Sequence, residues 1–227
     1  MRNMSYPSSE NKSKEPFELI HMDTMSAPDP SMYGNKYFLT ILDDYTRYGW
    51  FFFLKKKGEV FINFERWYKK LRNIFGKNIK YLRSDNGTEF TNNHIRRFCK
   101  DNGIIQQFSI PYNPQQNGRA ERFQETLIYN ASAMLKDGKL NHKFWEDAVR
   151  TVNYIHNSLP HRGNKNKVLF ELLYNEKVNY SKFRVIGCQT FFYVPKHLRR
   201  KFNGSISTWN IFRILWCKSN CIHHIWH

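Results

Sequence analysis

The sequence predicts an α/β layer fold: a mixed five-stranded sheet, three antiparallel strands followed by two parallel ones, with helices on its faces. Three observations carry this. Three runs rich in aromatic and β-branched residues follow one another with only turn material between them. One long helical period comes next. Beyond it strand and helix alternate, as parallel pairing through crossover connections requires.

The strands open at FELIHMDTM, from Phe17, after a lead-in from Met1 to Pro16 that is rich in Ser, Asn, Lys and Pro and is expected to be flexible. The turn material APDPSMYGNK leads to YFLTILDDY and RYGWFFFL, which complete a meander. Asp43 and Asp44 close the second of these runs. Adjacent positions point to opposite faces of a strand, so their expected role is shaping the turn into YTRYG. From Glu59, residues Val60, Phe61, Phe64, Trp67, Tyr68, Leu71 and Phe75 recur at three- and four-residue spacing until Gly76 stops the helix. Ile79 to Arg83 reads as a strand, Asn92 to Asn102 as a helix ended by Gly103, and Ile104 to Phe108 as a strand. The turn-rich loop SIPYNPQQNG precedes two helices, Arg119 to Leu135 and His142 to Leu159, separated by the break KDGKLN. VLFELLYN reads as a short helix and FRVIGCQTFFYVP as paired strands.

The charge narrows function. Lys and Arg number 36 against 19 Asp and Glu, a formal charge of +17, which suits a polyanionic partner, with nucleic acid first. The longest apolar runs, such as Trp50 to Leu54, are too short to span a bilayer, and the polar start lacks the apolar stretch of a signal peptide. The four cysteines are expected to be reduced thiols.

A basic protein that does chemistry on nucleic acid still needs local negative charge to hold Mg²⁺ beside a phosphodiester. Asp23 lies near the end of the first strand among Leu19, Ile20 and Met22, where an unpaired carboxylate is costly unless a cation offsets it. Asp85 closes the fourth strand before NGTEF, and Glu121 lies in the first turns of the helix after the Gly/Pro/Gln/Asn loop. These three converge only if the first and fourth strands are neighbours. Glu89 and Glu125 are rivals of Glu121. Arg119 and Arg122 flank Glu121 and are expected to face phosphates brought to the carboxylates, with Asn117 and Gln116 contacting DNA from the loop.

HMDTM, FLTILDDYTRYGWFFFLK, YLRSDNGTEF and IPYNPQQNGRAERFQETL, in this order and spacing, resemble the catalytic core of retroelement integrases, most closely those of copia-type LTR retrotransposon Pol polyproteins. The resemblance covers about Phe17 to Pro195. It implies a ribonuclease H-like fold, with Asp23, Asp85 and Glu121 as catalytic ligands of two Mg²⁺ (or Mn²⁺) ions. The implied reaction is trimming of a DNA 3′ end and its transfer into target DNA. A homo-oligomer acting on retroelement ends and target DNA in the nucleus is implied as well. Glu121 fits the family's NGxAER pattern, and Glu125 stands where the family usually has a basic residue. Two other functions are open at this point: an inactive DNA-binding relic of a decayed element, and a ribonuclease H acting on RNA–DNA hybrids.

The expected organisation is a lead-in over 1–16, the catalytic core over 17–160, a helical and strand extension over 161–203, and an unstructured tail over 204–227. The tail carries Cys217, Cys221, His223, His224 and His227, whose spacing matches no standard zinc site. Thr208 to Trp216 back-translates so that a one-nucleotide shift reads Pro-Gly-Ile-Phe-Leu-Gly-Tyr-Cys, which resembles the segment following the core in copia-type polyproteins. A frameshift between Gly204 and Thr208 is therefore expected. With no zinc module before Phe17 and no reverse transcriptase after the core, the sequence reads as a fragment of such an element.

Overall fold

The computed structural model describes residues 13–109, 118–193 and 206–210. Strands β1 (Leu19–Ser26), β2 (Tyr37–Asp43) and β3 (Gly49–Leu54) form the antiparallel meander, and β4 (Tyr81–Ser84) and β5 (Ile105–Phe108) add to it in parallel. The order is β3-β2-β1-β4-β5, with β2 running against the other four. That is the ribonuclease H-like arrangement. β1 and β4 are neighbours, as convergence of Asp23 and Asp85 demands.

Alternation along the strands feeds two cores, one on each face. Leu39, Ile41, Trp50 and Leu54 join helix α1 (Val60–Phe75) through Phe64, Trp67, Tyr68 and Leu71. Gly76, at φ +63°, ends α1 by donating its N–H to the Arg72 carbonyl at 2.9 Å. On the other face Phe38, Leu42 and Phe51 pack against α4 (Gly118–Asp137) and α5 (Trp145–Ser158). Gly49 sets the spacing there, because a Cβ at that position would lie 2.3 Å from the Phe123 ring. The Asn157 side chain grips the Gly49 backbone at both ends, accepting from its N–H at 3.0 Å and donating to its carbonyl at 2.8 Å.

Two short helices lie between β4 and β5. α2 (Thr88–Thr91), which begins within NGTEF, is not expected from the sequence, being a single turn without a period of its own. α3 (Asn93–Asp101) is capped by Asn92, whose side chain accepts from the Ile95 N–H at 3.1 Å. Beyond α5, the two-residue strands β6 (Pro160–His161) and β7 (Lys167–Val168) pair, and α6 (Leu169–Tyr174) buries Leu169, Phe170 and Leu173 in the same core as α1. The extension from residue 160 through α6 is thus packed on the sheet domain.

Three expectations change. The lead-in is anchored by residue 13: the Ser13 N–H and hydroxyl both donate to Asp44, at 3.2 and 2.5 Å, and Lys77 pairs with Glu15. Instead of two strands pairing within Phe183 to Pro195, β8 (Gln189–Tyr193) pairs antiparallel with β9 (Ile206–Asn210). The unstructured tail expected from 204 therefore does not hold for Ile206–Asn210, where Ile206, Thr208 and Trp209 are β-prone residues that support a strand. Residues 211–227, with the Cys/His group, lie outside the described residues.

Candidate active site

Parallel pairing runs Leu19 with Tyr81, Ile20 with Leu82 and His21 with Arg83. Asp23 lies two residues further along β1 and Asp85 immediately beyond the end of β4, so the shared register brings both carboxylates to the same end of adjacent strands. Asp23 is half-buried and its Oδ1 accepts from the Thr24 N–H at 2.8 Å. Asp85 Oδ1 accepts from the Gly87 N–H at 3.0 Å, which fixes the carboxylate over the turn into α2.

Glu121 is exposed in the first turn of α4, the helix that lies across β1 and β2. α4 is held in place from below by Gln124, fully buried, whose Nε2 donates to Thr40 Oγ1 at 2.8 Å. Thr40 is the β2 residue paired with Asp23. One buried hydrogen bond thus keys the Glu121 helix to the strand position beside Asp23.

The electrostatics tie the group together. Burial, then the negative charges of Asp85, Glu121 and Glu89, push the Asp23 carboxyl from 3.8 up to about 7. Glu89 is the acid that the sequence reading ranked as a rival. Its Oε1 accepts from Thr24 at 2.7 Å and from Lys57 at 2.9 Å. Burial acts against its ionisation, but the bonds from Lys57 and Thr24 prevail and its carboxyl stays below the usual range. Gly87 lets the acids approach: a Cβ there would lie 2.8 Å from Glu89 Oε2 and 3.0 Å from Asp85 Oδ1. Among the described residues no three or more Asp, Glu, His or Cys side chains lie close enough to share a metal ion as they stand. The donor set nevertheless fits a hard cation. All four groups are carboxylates, and they raise one another's negative potential with Lys57 as the nearby cation.

Glu89 and Lys57 are residues that sequence reasoning undervalued. Glu89 lies within YLRSDNGTEF but only as a rival of Glu121, Lys57 lies where no period or motif marks it, and nothing local shows that the two meet across the chain. Glu125 is exposed, one turn beyond Glu121.

Arg119 and Arg122 do not face the carboxylates. At about 100° per residue, the buried Ala120, Gln124, Leu127 and Ala131 define the core side of α4. Glu121 lies on one flank of that line and Arg119, Arg122 and Phe123 on the other, where they line a separate cavity. Arg119 pairs with Asp44, a buried carboxylate that also accepts from His21 Nε2 at 2.9 Å. Burial alone would raise the Asp44 carboxyl, but the bonds from His21, Ser13 and Arg119 hold it far below the usual range. Asp43 takes the turn-forming role, accepting from the Thr46 N–H at 2.8 Å, the Thr46 hydroxyl at 2.6 Å and the Phe17 N–H at 2.8 Å. Gln116 and Asn117 lie outside the described residues.

Residues 13–114 match the model of the integrase core domain. Over 201 residues the chain is 34% identical to the retrovirus-related Pol polyprotein from transposon TNT 1-94 of Nicotiana tabacum, covering 88% of this chain and 15% of that protein. The corresponding proteins from transposons RE2 and RE1 of Arabidopsis thaliana are 30% and 29% identical, over 83% and 84% of this chain and 13% of each of theirs. The chain thus spans about one seventh of the length of these relatives. Among solved structures, the catalytic core domain of BIV integrase is similar at 22% identity and a TM-score of 0.49, over 69% of this chain and 93% of that one.

Proposed function

Residues 13–114 are an integrase core domain, of the kind carried by the Pol polyproteins of plant copia-type transposons, and from that premise we propose that the chain performs metal-dependent phosphoryl transfer on DNA. The two steps are processing of a DNA 3′ end and its transfer into target DNA. The observation that supports this most is the electrostatic convergence of Asp85 and Glu121 on Asp23 at the end of two adjacent parallel strands.

In this reading Asp23, Asp85 and Glu121 hold Mg²⁺ or Mn²⁺, two ions in the complete site. Such ions supply charge stabilisation for an in-line displacement at phosphorus and lower the pKa of the attacking hydroxyl or water. The protein's own part is positional. The β1–β4 register fixes two carboxylates, the Gln124–Thr40 bond fixes the helix bearing the third, and Gly87 leaves room for the acids to approach. Glu89, held by Lys57 and Thr24, adds to the negative potential that draws a cation in. No covalent enzyme intermediate is required, which suits a site built from carboxylates. Retroelement ends and target DNA are the substrates on this proposal, and a homo-oligomer is the working form.

Incubating the chain with Mn²⁺ and either labelled duplex DNA or an RNA–DNA hybrid tests this. Trimming and joining of DNA, abolished in Glu121→Gln, is the expected result. Hybrid cleavage without DNA joining would replace it with a ribonuclease H, and salt-sensitive DNA binding indifferent to metal would replace it with an inactive relic.

A further inference from the structure

On the far flank of α4 from Glu121, a cavity of about 340 Å³ is lined by Arg47, Arg119, Arg122, Phe123, His156 and His161 among others. A second cavity of about 350 Å³ shares Arg47 and Gly163 with it and continues past Lys165 and Lys167. The shared residues place the two cavities side by side, and their combined lining, here called the trough, extends from α4 past the β2–β3 turn to the segment before α6.

The trough is electropositive and undercompensated. Burial and then the charge of Arg119 lower the Arg47 guanidinium, with Asp44 and Asp43 opposing the effect and Arg122 adding to it. The carboxylate they share is Asp44, whose Oδ1 is already bonded to His21 and Arg119 and lies 3.5 Å from Arg47. His156 also lines the trough, and its buried Nε2 has no hydrogen-bond partner among the described residues.

Arg47 at φ +65° and Lys165 at φ +55° occupy the left-handed region, where Gly or Asn is less strained. Lys139, which lines neither cavity, shares this region, so the two positions mark where basic side chains leave the backbone at the trough and the charge itself carries the argument.

We propose that this trough binds the phosphodiester backbone of DNA, as a contact surface separate from the carboxylate site. A single phosphate group would need one pocket. Two contiguous ones, with cations spread from Arg122 to Lys167, suit a chain of phosphates. Binding here does not require the carboxylates to hold metal, so the test is run in EDTA and is unaffected by failure of the catalytic reading.

Binding of a fluorescent DNA duplex to the whole chain is measured by anisotropy across a salt series. The Arg47→Asn/Lys165→Asn double variant keeps a backbone-compatible residue at both sites. It is compared with Arg96→Gln/Lys100→Gln, a pair of exposed cations on α3. The trough variant is expected to bind about tenfold more weakly near 0.15 M salt, with the slope of log K against log salt shallower by about two. The control should keep the wild-type slope, and circular dichroism should give all three proteins the same fold. Equal losses in both variants would overturn the proposal, leaving only diffuse attraction. So would an unchanged slope in the trough variant, and so would thermal stabilisation by pyrophosphate that the trough variant alone loses while DNA binding is unaffected, which would make the trough a small-anion site.

Discussion

Replacing Asp85 with Asn removes one negative charge while keeping the side chain's shape and the Oδ1 that accepts from the Gly87 N–H. Its effect on metal-free stability follows from Asp23. Raising that carboxyl from 3.8 to about 7 sets about 4 kcal/mol against its ionisation, at ~1.36 kcal/mol per tenfold change in proton affinity. Burial is the largest part and the Asp85 charge comes next. With allowance for solvent screening of a half-buried site, the Asp85 share is about 1 kcal/mol. The folded state holds the Asp23 proton more tightly than the unfolded state, so stability falls as pH rises from 3.8 to about 7. The penalty is absent near pH 4 and complete near pH 8. Asp85→Asn should therefore raise the melting temperature of the metal-free protein by about 2–4 °C near pH 8, for a chain of this size, and by much less near pH 4. Added Mg²⁺ should stabilise the wild type more than the variant. Differential scanning fluorimetry in EDTA and in Mg²⁺, at both pH values, measures all of this. A variant less stable than wild type near pH 8, or equally stabilised at both pH values, would refute the reasoning.

Gly87→Ala should fold normally, since its backbone is in an ordinary region, yet lose at least tenfold in metal-dependent activity as the new Cβ displaces Glu89 and Asp85; circular dichroism beside a cleavage assay separates the two effects. Gly49→Ala should destabilise by about 1–3 kcal/mol because its Cβ overlaps the Phe123 ring, read as a lowered urea midpoint. Asp44→Asn should cost about 3–5 kcal/mol by leaving Arg119 and its neighbours without a buried counter-charge. The stability Asp44 supplies is present above pH 3.8 and lost as pH falls through its lowered folded value, so the variant should show a flatter acid limb in urea titrations. Burial pushes the Cys99 thiol up to about 12, so it should resist alkylation near pH 8 until the protein is unfolded, as mass spectrometry would show.

The sheet was legible because each strand carries its own signal. The runs around Ile20, Ile41 and Phe52 alternate or cluster apolar residues, and α1 repeats them at helical spacing up to a terminating glycine. Asp23 and Asp85 stood out as charges at strand ends, and their convergence needed only the β1–β4 neighbourhood that the fold provides. Pairings between distant side chains were not legible. Glu89 meets Lys57 and Thr24 through tertiary packing that leaves no local pattern. Arg119 sits two positions from Glu121, and nothing in the sequence shows that the core side of α4 separates them or that Asp44 takes the guanidinium. The β8–β9 pairing was missed because its two strands lie on either side of a stretch with no clear period.

On the proposed function, Asp23, Asp85 and Glu121 act together as one metal-dependent phosphoryl-transfer site. The most direct measurement uses a branched DNA that mimics a joined product, incubated with the chain and Mg²⁺ or Mn²⁺, with Asp85→Asn as the control. Release of the unbranched strand by the wild type, dependent on the cation and lost in the control, is expected. A folded wild-type protein that binds the branched DNA and releases nothing with either cation would contradict the claim.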